Sequence, residues 1–358
     1  MQGDAIDVGK VKAALANLKD PETGRGVVEM EQLHDLQCEP GRVHVTLGLT
    51  THSAPLWDRT IAEADALLTT AFPGVEVSVE RTIHTRSPQK LGEIGLTAKS
   101  VIVVGSGKGG VGKSTVATAL AYGLNRAGSA VGLVDADVYG PSVPQLVGVE
   151  GRPEVVDNRI QPIEKDGIRV MSMGFLVPAG EAVVWRGPML HGAITQFLRD
   201  TAWGELDYLV IDMPPGTGDI ALTLSQLLPL TGAVVVCTPQ EVALLDAVKA
   251  IAMFRKVNIP LLGMIENMSG FVCPGCSKRY DIFGHGGAAA KAEELDVPYL
   301  GELPINMGIR TRGDRGDMAS VYEDETTRPY LETVIQNLAV GMTDRARQEP
   351  PLPNLSVL

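Results

Sequence analysis

A chain of 358 residues with 44% hydrophobic residues is long enough for one large domain and a smaller one, each able to bury a core without disulfides. Its formal charge of -12, from 31 basic against 43 acidic residues, argues against a general nucleic-acid coat or an anionic membrane surface as the main partner. No uncharged apolar run reaches membrane-spanning length and no basic-then-apolar signal opens the chain, so the expected location is the cytoplasm.

Residues 1–85 read as a small α+β domain. Val8, Val11, Leu15 and Leu18 recur at helical spacing, and Val43, Val45, Leu47 and Leu49 alternate as a half-buried strand does. A second helical stretch runs from about Leu56 to Phe72, and a second alternating run holds Val75, Val77 and Val79. Residues 86–98, with Ser87-Pro88 and two glycines, read as a linker. From 99 to 340 apolar strands alternate with helical segments: Val101–Val104, Ala130–Val134, Tyr208–Ile211, Ala233–Cys237 and Leu261–Ile265. This pattern predicts an α/β fold with a doubly wound, mostly parallel sheet. Residues 341–358, ending in a proline-rich stretch, read as a loosely ordered tail.

The first strand of the larger domain leads into Gly107-Lys108-Gly109-Gly110-Val111-Gly112-Lys113-Ser114-Thr115, and a helical segment from Ser114 to Ala127 follows, ending at Gly128. Strand, glycine-rich loop and helix in this order make a phosphate-binding loop: backbone N–H groups surround the phosphates, and Lys113 reaches the terminal ones. Lys108 is a second lysine that the minimal pattern does not require. It either raises the local potential for anions or reaches across a dimer interface as a charge-stabilising finger supplied in trans.

Ligands of doubly wound sheets bind beyond the carboxyl ends of the strands, and Asp135, Asp137, Asp212, Thr238 and Asn267 all follow strands. Asp212 stands where a carboxylate would help hold Mg2+ together with the Ser114 hydroxyl, and its loop, through Pro214, Pro215, Gly216 and Thr217, suits a nucleotide sensor. One of the Asp135-Ala136-Asp137 carboxylates can orient an attacking water. Asp137 is assigned that task and Asp135 an indirect one, beside Mg2+ or the phosphate loop, although spacing alone does not separate them.

Four cysteines occur, and only Cys273 and Cys276 form a C-x-x-C. Two thiolates on one turn satisfy half of a four-ligand metal site. His285 or Cys237 could add to them, and a symmetric dimer would supply the missing pair directly. A redox dithiol and a zinc clip fit the same spacing.

The chain resembles the Mrp/ApbC-type P-loop ATPases, the iron-sulfur cluster carriers. The resemblance rests on the loop from Ser106 to Ser114, on Asp135-Ala136-Asp137-Val138-Tyr139-Gly140-Pro141-Ser142, Trp185-Arg186-Gly187-Pro188-Met189, the segment Asp212–Asp219, Glu266-Asn267-Met268-Ser269, and Cys273–Cys276 with Phe283-Gly284-His285-Gly286-Gly287. It implies a homodimer that sandwiches ATP, with Lys108 crossing over and Asn267 contacting adenine. It further implies that Cys273 and Cys276 of both subunits hold a [4Fe-4S] cluster, destined for apo iron-sulfur proteins and handled with assembly factors. The N-terminal segment is similar to the small iron-sulfur-assembly domain, with Asp20-Pro21-Glu22 matching its acidic turn. That domain often carries a Cys-Pro pair where this chain has Ala54-Pro55, so partner docking is expected of it rather than cluster ligation. A partition-type switch binding DNA or membrane is the alternative for the loop alone. The acidic balance and the lack of an amphipathic tail favour neither nucleic acid nor membrane as a partner.

Overall fold

The computed structural model describes residues 7–138, 140–176, 187–216, 218–273, 275–276 and 278–348. It divides the chain into two compact units, one of residues 1–86 together with 339–358, the other of residues 87–338.

In the first unit α1 (Val8–Ala14) precedes a sheet of β1 (Leu33–Glu39), β2 (Arg42–Leu49) and β3 (Glu76–Ile83), with α2 (Trp57–Ala71) joining β2 to β3. β1 pairs antiparallel with β2, and β2 pairs parallel with β3, in that spatial order. The alternation in β2 puts Val43, Val45, Leu47 and Leu49 in the core, where Leu15, Leu18, Ala64 and Leu68 are also buried. The acidic turn is fixed from several sides. The Asp20 carboxylate, fully buried, accepts hydrogen bonds from Gln32 Nε2 (3.0 Å), Thr23 Oγ1 (2.7 Å) and Arg86 Nη1 (3.0 Å), while Glu22 accepts from Thr50 and pairs with Arg86 at 3.2 Å.

The second unit opens with β4 (Lys90–Leu91), β5 (Leu96–Gly105), α3 (Lys113–Ala127), β6 (Val131–Asp135) and α4 (Val143–Val147). The short strands β7 (Val155–Val156), β8 (Arg159–Ile160) and β9 (Ile163–Lys165) follow, then β10 (Ile168–Ser172), α5 (Gly187–Asp200), β11 (Leu206–Asp212) and α6 (Gly218–Leu227). The rest is β12 (Gly232–Cys237), α7 (Glu241–Lys256), β13 (Leu261–Val272), β14 (Arg279–Tyr280), α8 (Gly287–Glu294), β15 (Tyr299–Ile305), α9 (Met307–Arg315) and the first part of α10 (Arg328–Gln348), whose residues from Ala339 on belong to the first unit. Among the described residues the main sheet runs β14-β13-β12-β5-β11-β6-β10-β9, with β15 also paired to β13 and β4 to β5. The pairs from β15 through β13, β12, β5, β11 and β6 to β10 are all parallel, and the antiparallel additions are β4, β9 and β14. Helices cover both faces, so every residue of β6, β11 and β12 is buried, as continuous apolar runs require.

Two expectations change. Residues 86–98 are no plain linker: β4 pairs with the start of β5, and Leu91 and Ile94 pack against the core of the second unit. The expected loose tail is helical to Gln348, because Thr343 is buried and its hydroxyl donates to the Pro21 carbonyl at 2.8 Å. Residues 349–358, including the proline-rich stretch, lie outside the described residues.

Candidate functional site

The loops after β5, β6 and β11 meet at the carboxyl edge of the sheet, with the central segment of β13 alongside. Gly110 (φ +80°) and Gly112 (φ +83°) take left-handed backbone conformations that let the phosphate loop turn back into α3. The loop is held closely. A Cβ on Gly107 would lie 2.0 Å from the Asp246 carbonyl of α7, and one on Gly112 would lie 2.1 Å from Asn267 Nδ2. Ser106 Oγ donates to the Lys108 carbonyl at 2.9 Å, and Gly216 N–H donates to the Ser106 carbonyl at 3.1 Å, which joins the expected sensor loop to the phosphate loop. Val111 is buried, Lys108 half-buried, and Gly109 and Gly110 are exposed at the mouth. α3 begins directly after this loop with no side-chain cap from Gly112, and a helix N-terminus favours an anion.

Lys113, 6% exposed, donates to Asp212 Oδ1 at 2.6 Å and to Ser114 Oγ at 3.1 Å, and lies 3.9 Å from Asp137 Oδ2. Burial pushes the Asp212 carboxyl up, and the Lys113 ammonium opposes this by charge and hydrogen bond. Asp212 Oδ2 is buried without a hydrogen-bond partner among the described residues. An orphaned carboxylate oxygen near a hydroxyl suits a hard divalent cation, so Ser114 and Asp212 fit the Mg2+ assignment.

The two neighbouring aspartates differ in kind. Asp135 is fully buried, and its carboxylate receives Asp137 N–H (3.1 Å), Val143 N–H (3.2 Å) and Ser172 Oγ (3.0 Å). Burial, and then the Asp212 charge, push its carboxyl up to about 7. It shapes the loop that carries Asp137. Asp137 instead faces Lys113 and accepts Gly140 N–H at 3.2 Å.

Asn267 lies inside β13, which runs seven residues beyond Ile265, and not in a loop after it. Its amide donates to the Val111 carbonyl at 2.8 Å, so it ties the phosphate loop to the sheet. Next to it Met268 has φ +59°, an uncommon conformation for this residue, where the pairing of β13 with β15 slips. Gly112, Thr115, Asn267 and Met268 form one side of a cavity of about 460 Å³, and residues from Leu303 to Asn306 form another. That volume accommodates a nucleoside beside the loop. Pro304, Ile305 and Asn306 escaped sequence reasoning. Their one local signal is Asn306, which caps α9 by accepting Gly308 N–H and Ile309 N–H.

Cys273 and Cys276 occupy the turn between β13 and β14. Cys273 N–H donates to the Lys278 carbonyl at 3.0 Å. Backbone N–H groups of Gly275 and Cys276, then the Cys276 side chain, hold the Cys273 thiol below its ordinary value, which favours the metal-binding thiolate. Among the described residues no three His, Cys, Asp or Glu groups are arranged to hold a metal. Cys237 is buried in β12, and burial pushes its thiol up to about 12, away from the thiolate that binds metal. His285 turns to Glu302 at 2.9 Å. Tyr139, Trp185, Arg186, Thr217 and Pro274, parts of the motifs above, lie outside the described residues.

A family model described as the NUBPL iron-transfer P-loop NTPase matches residues 97–339, and one described as an iron-sulfur cluster assembly protein matches residues 9–80. The chain belongs to the NUBPL iron-transfer P-loop NTPase family. Membership makes it an NTPase of the P-loop class with a mostly parallel sheet. It is 45% identical over 343 residues to the iron-sulfur cluster carrier protein of Deinococcus radiodurans, covering 94% of this chain and 96% of that one. To the carrier protein of Escherichia coli K12 it is 42% identical, over 90% of this chain and 89% of the other. Among solved structures, a nucleotide-binding protein from Archaeoglobus fulgidus in complex with ADP matches with TM-score 0.56 and 42% identity, over 62% of this chain and 88% of that chain. The Pyrococcus furiosus cell division ATPase MinD shares the fold at TM-score 0.50 and 22% identity, over 66% of this chain and 97% of that chain.

Proposed function

We propose that this chain binds and hydrolyses ATP and carries iron-sulfur clusters, as a homodimer whose two cysteine turns hold one [4Fe-4S] cargo and release it to apo-proteins. The observation that carries this reading is the course of β13: Asn267 grips the phosphate loop, and six residues later the same strand has delivered Cys273 to the surface. Two thiols are half the four that such a cluster takes, so a two-fold axis through the turn completes the set. Exposed Tyr280, Ile282 and Phe283 follow the cysteines, and exposed Val242 and Leu245 lie on α7, the helix against which Gly107 packs. Such apolar groups around the two sites suit burial against a second copy. The names of the Deinococcus and Escherichia relatives support the cargo.

In the hydrolytic cycle the nucleotide enters over Gly109 and Gly110, and Lys113 exchanges Asp212 for the terminal phosphates. Mg2+, when bound, neutralises phosphate charge, and Ser114 and Asp212 are the residues that would hold it. Asp137, freed from Lys113, accepts a proton from the attacking water. Lys108 reaches the partner's nucleotide. The N-terminal unit, with Ala54 before Pro55 and Cys38 half-buried, serves as a docking module for assembly factors and recipients.

Anaerobic reconstitution with iron and sulfide tests the cargo. The wild type should gain cluster absorbance at two subunits per cluster, and Cys273→Ala and Cys276→Ala should not. Equal uptake by the variants would overturn the reading.

A further inference from the structure

Behind the cysteine turn lies a polar network that none of the roles above uses. Ser269, fully buried, places Oγ 2.6 Å from Glu266 Oε1 and 2.6 Å from Glu302 Oε2. Arg279 on β14 donates through Nη1 to Glu302 Oε1 (2.7 Å), and through Nη2 to Glu302 Oε2 (3.2 Å), Ser269 Oγ (3.2 Å) and the Ser269 carbonyl (3.1 Å). Its Nε reaches Asp281 at 3.1 Å. Glu266 in turn receives the N–H groups of Gly286 (2.9 Å) and Ala288 (2.7 Å) at the start of α8.

We infer that Ser269, Arg279 and Glu302 are positioning residues that set the placement of the cysteine turn according to what fills the cavity beside the phosphate loop; this rests on the nucleotide and cysteine roles proposed above. Both ends of the connection are short. Met268 and Leu303 line the cavity and are the chain neighbours of Ser269 and Glu302. At the other end Arg279 pairs with Val272, next to Cys273. The guanidinium lies across Gly270, where a Cβ would come within 2.7 Å of Arg279 Nε and where φ is +70°.

The middle of the connection has two states by its chemistry. A serine hydroxyl has one hydrogen and here faces two carboxylates, so it serves one of them at a time. Donation to Glu266 stays within β13, on the carboxylate that already holds the start of α8. Donation to Glu302 ties β13 to Arg279 and the cysteine turn. Burial opposes ionisation of Glu302, but hydrogen bonds from Arg279 and Ser269 and the Arg279 charge hold it below the ordinary glutamate range, so it is an acceptor throughout. A ligand that shifts Met268 and Leu303 against each other changes which acceptor is nearer, and an element with two discrete arrangements is what transmits such a bias.

The test uses the full chain without cluster. Alkylation of Cys273 and Cys276 by iodoacetamide is followed by peptide mass spectrometry, with and without a non-hydrolysable ATP analogue and Mg2+. In the wild type the analogue should change the rates about threefold or more, and in Ser269→Ala and Glu302→Gln the ratio should fall to near one, with analogue affinity kept within about threefold. A turn that is merely loosened reacts faster in both conditions and leaves the ratio intact. An unchanged ratio in the variants, or no response in the wild type, overturns the inference. If Ser269→Ala does not fold, Arg279→Lys, which keeps the charge but loses the fork, gives the same reading. Because the assay needs no cluster, failure of reconstitution with an intact thiol response would sink the carrier reading and leave this one standing.

Discussion

Replacing Gly112 by alanine is the sharpest probe of how the phosphate loop is held. The position has φ +83°, which costs an L-residue about 1–2 kcal/mol. The new methyl also falls 2.1 Å from Asn267 Nδ2, so the amide must leave the Val111 carbonyl, at about 0.5–1.5 kcal/mol for the lost hydrogen bond. Together these come to about 1.5–3.5 kcal/mol, which the free loop sheds by relaxing and nucleotide binding must restore; the Kd for ATP then rises roughly 10- to 350-fold. A fluorescent ATP analogue titrated into each protein measures it. In an Asn267→Gly background there is no amide to displace, and the same substitution should cost only the backbone term, roughly 5- to 30-fold. Equal losses in the two backgrounds would refute the claim that Asn267 and Gly112 act as a unit.

Asp137→Ala should leave ATP affinity within about threefold and lower turnover by about a hundredfold or more, measured as phosphate release; unchanged turnover would remove Asp137 from the water-positioning role. For the acidic turn, burial works against the Asp20 charge, but hydrogen bonds from Gln32 and Thr23 and the Arg86 charge hold its carboxyl below the ordinary range. A lowered carboxyl contributes stability that is fully present above its unfolded value of about 4 and is lost as pH falls through the lower folded value. Asp20→Asn should therefore destabilise the N-terminal unit by roughly 2 kcal/mol at neutral pH, read from amide hydrogen exchange, and the gap to wild type should close in acid. A gap that persists in acid would assign the effect to packing.

The parts legible in the sequence are those whose physics is local. Strands buried on both faces print apolar runs, so β5, β6, β11 and β12 stand out, and the glycines of the phosphate loop mark its backbone directly. β1 does not stand out: its side chains are partly or fully exposed, and its register slips between Leu33 and Asp35. α9 carries two glycines and four arginines or aspartates in nine residues, and only its Asn306 cap betrays it. The positive φ of Met268 carries no glycine signature, so the bulge that leaves Asn267 within a longer strand was hidden. Asp135 and Asp137 look alike in the sequence, and their different surroundings depend on Ser172 and Lys113, each more than twenty residues away. The Ser269 network is likewise assembled from common residue types on three strands.

The union of both chain ends in one unit bears on the order in which the protein is made. Residues 1–86 leave the ribosome first, yet Pro21 receives its bond from Thr343, and their unit also takes in residues 339–358. About 250 residues intervene, which at bacterial-type elongation rates of roughly 5–20 residues per second is a delay of roughly 13 to 50 seconds. During that interval the nascent N-terminal unit lacks the end of α10, while the NTPase unit is completed behind it. A complete N-terminal unit is thereby confined to chains whose phosphate loop and both cysteines have already been made.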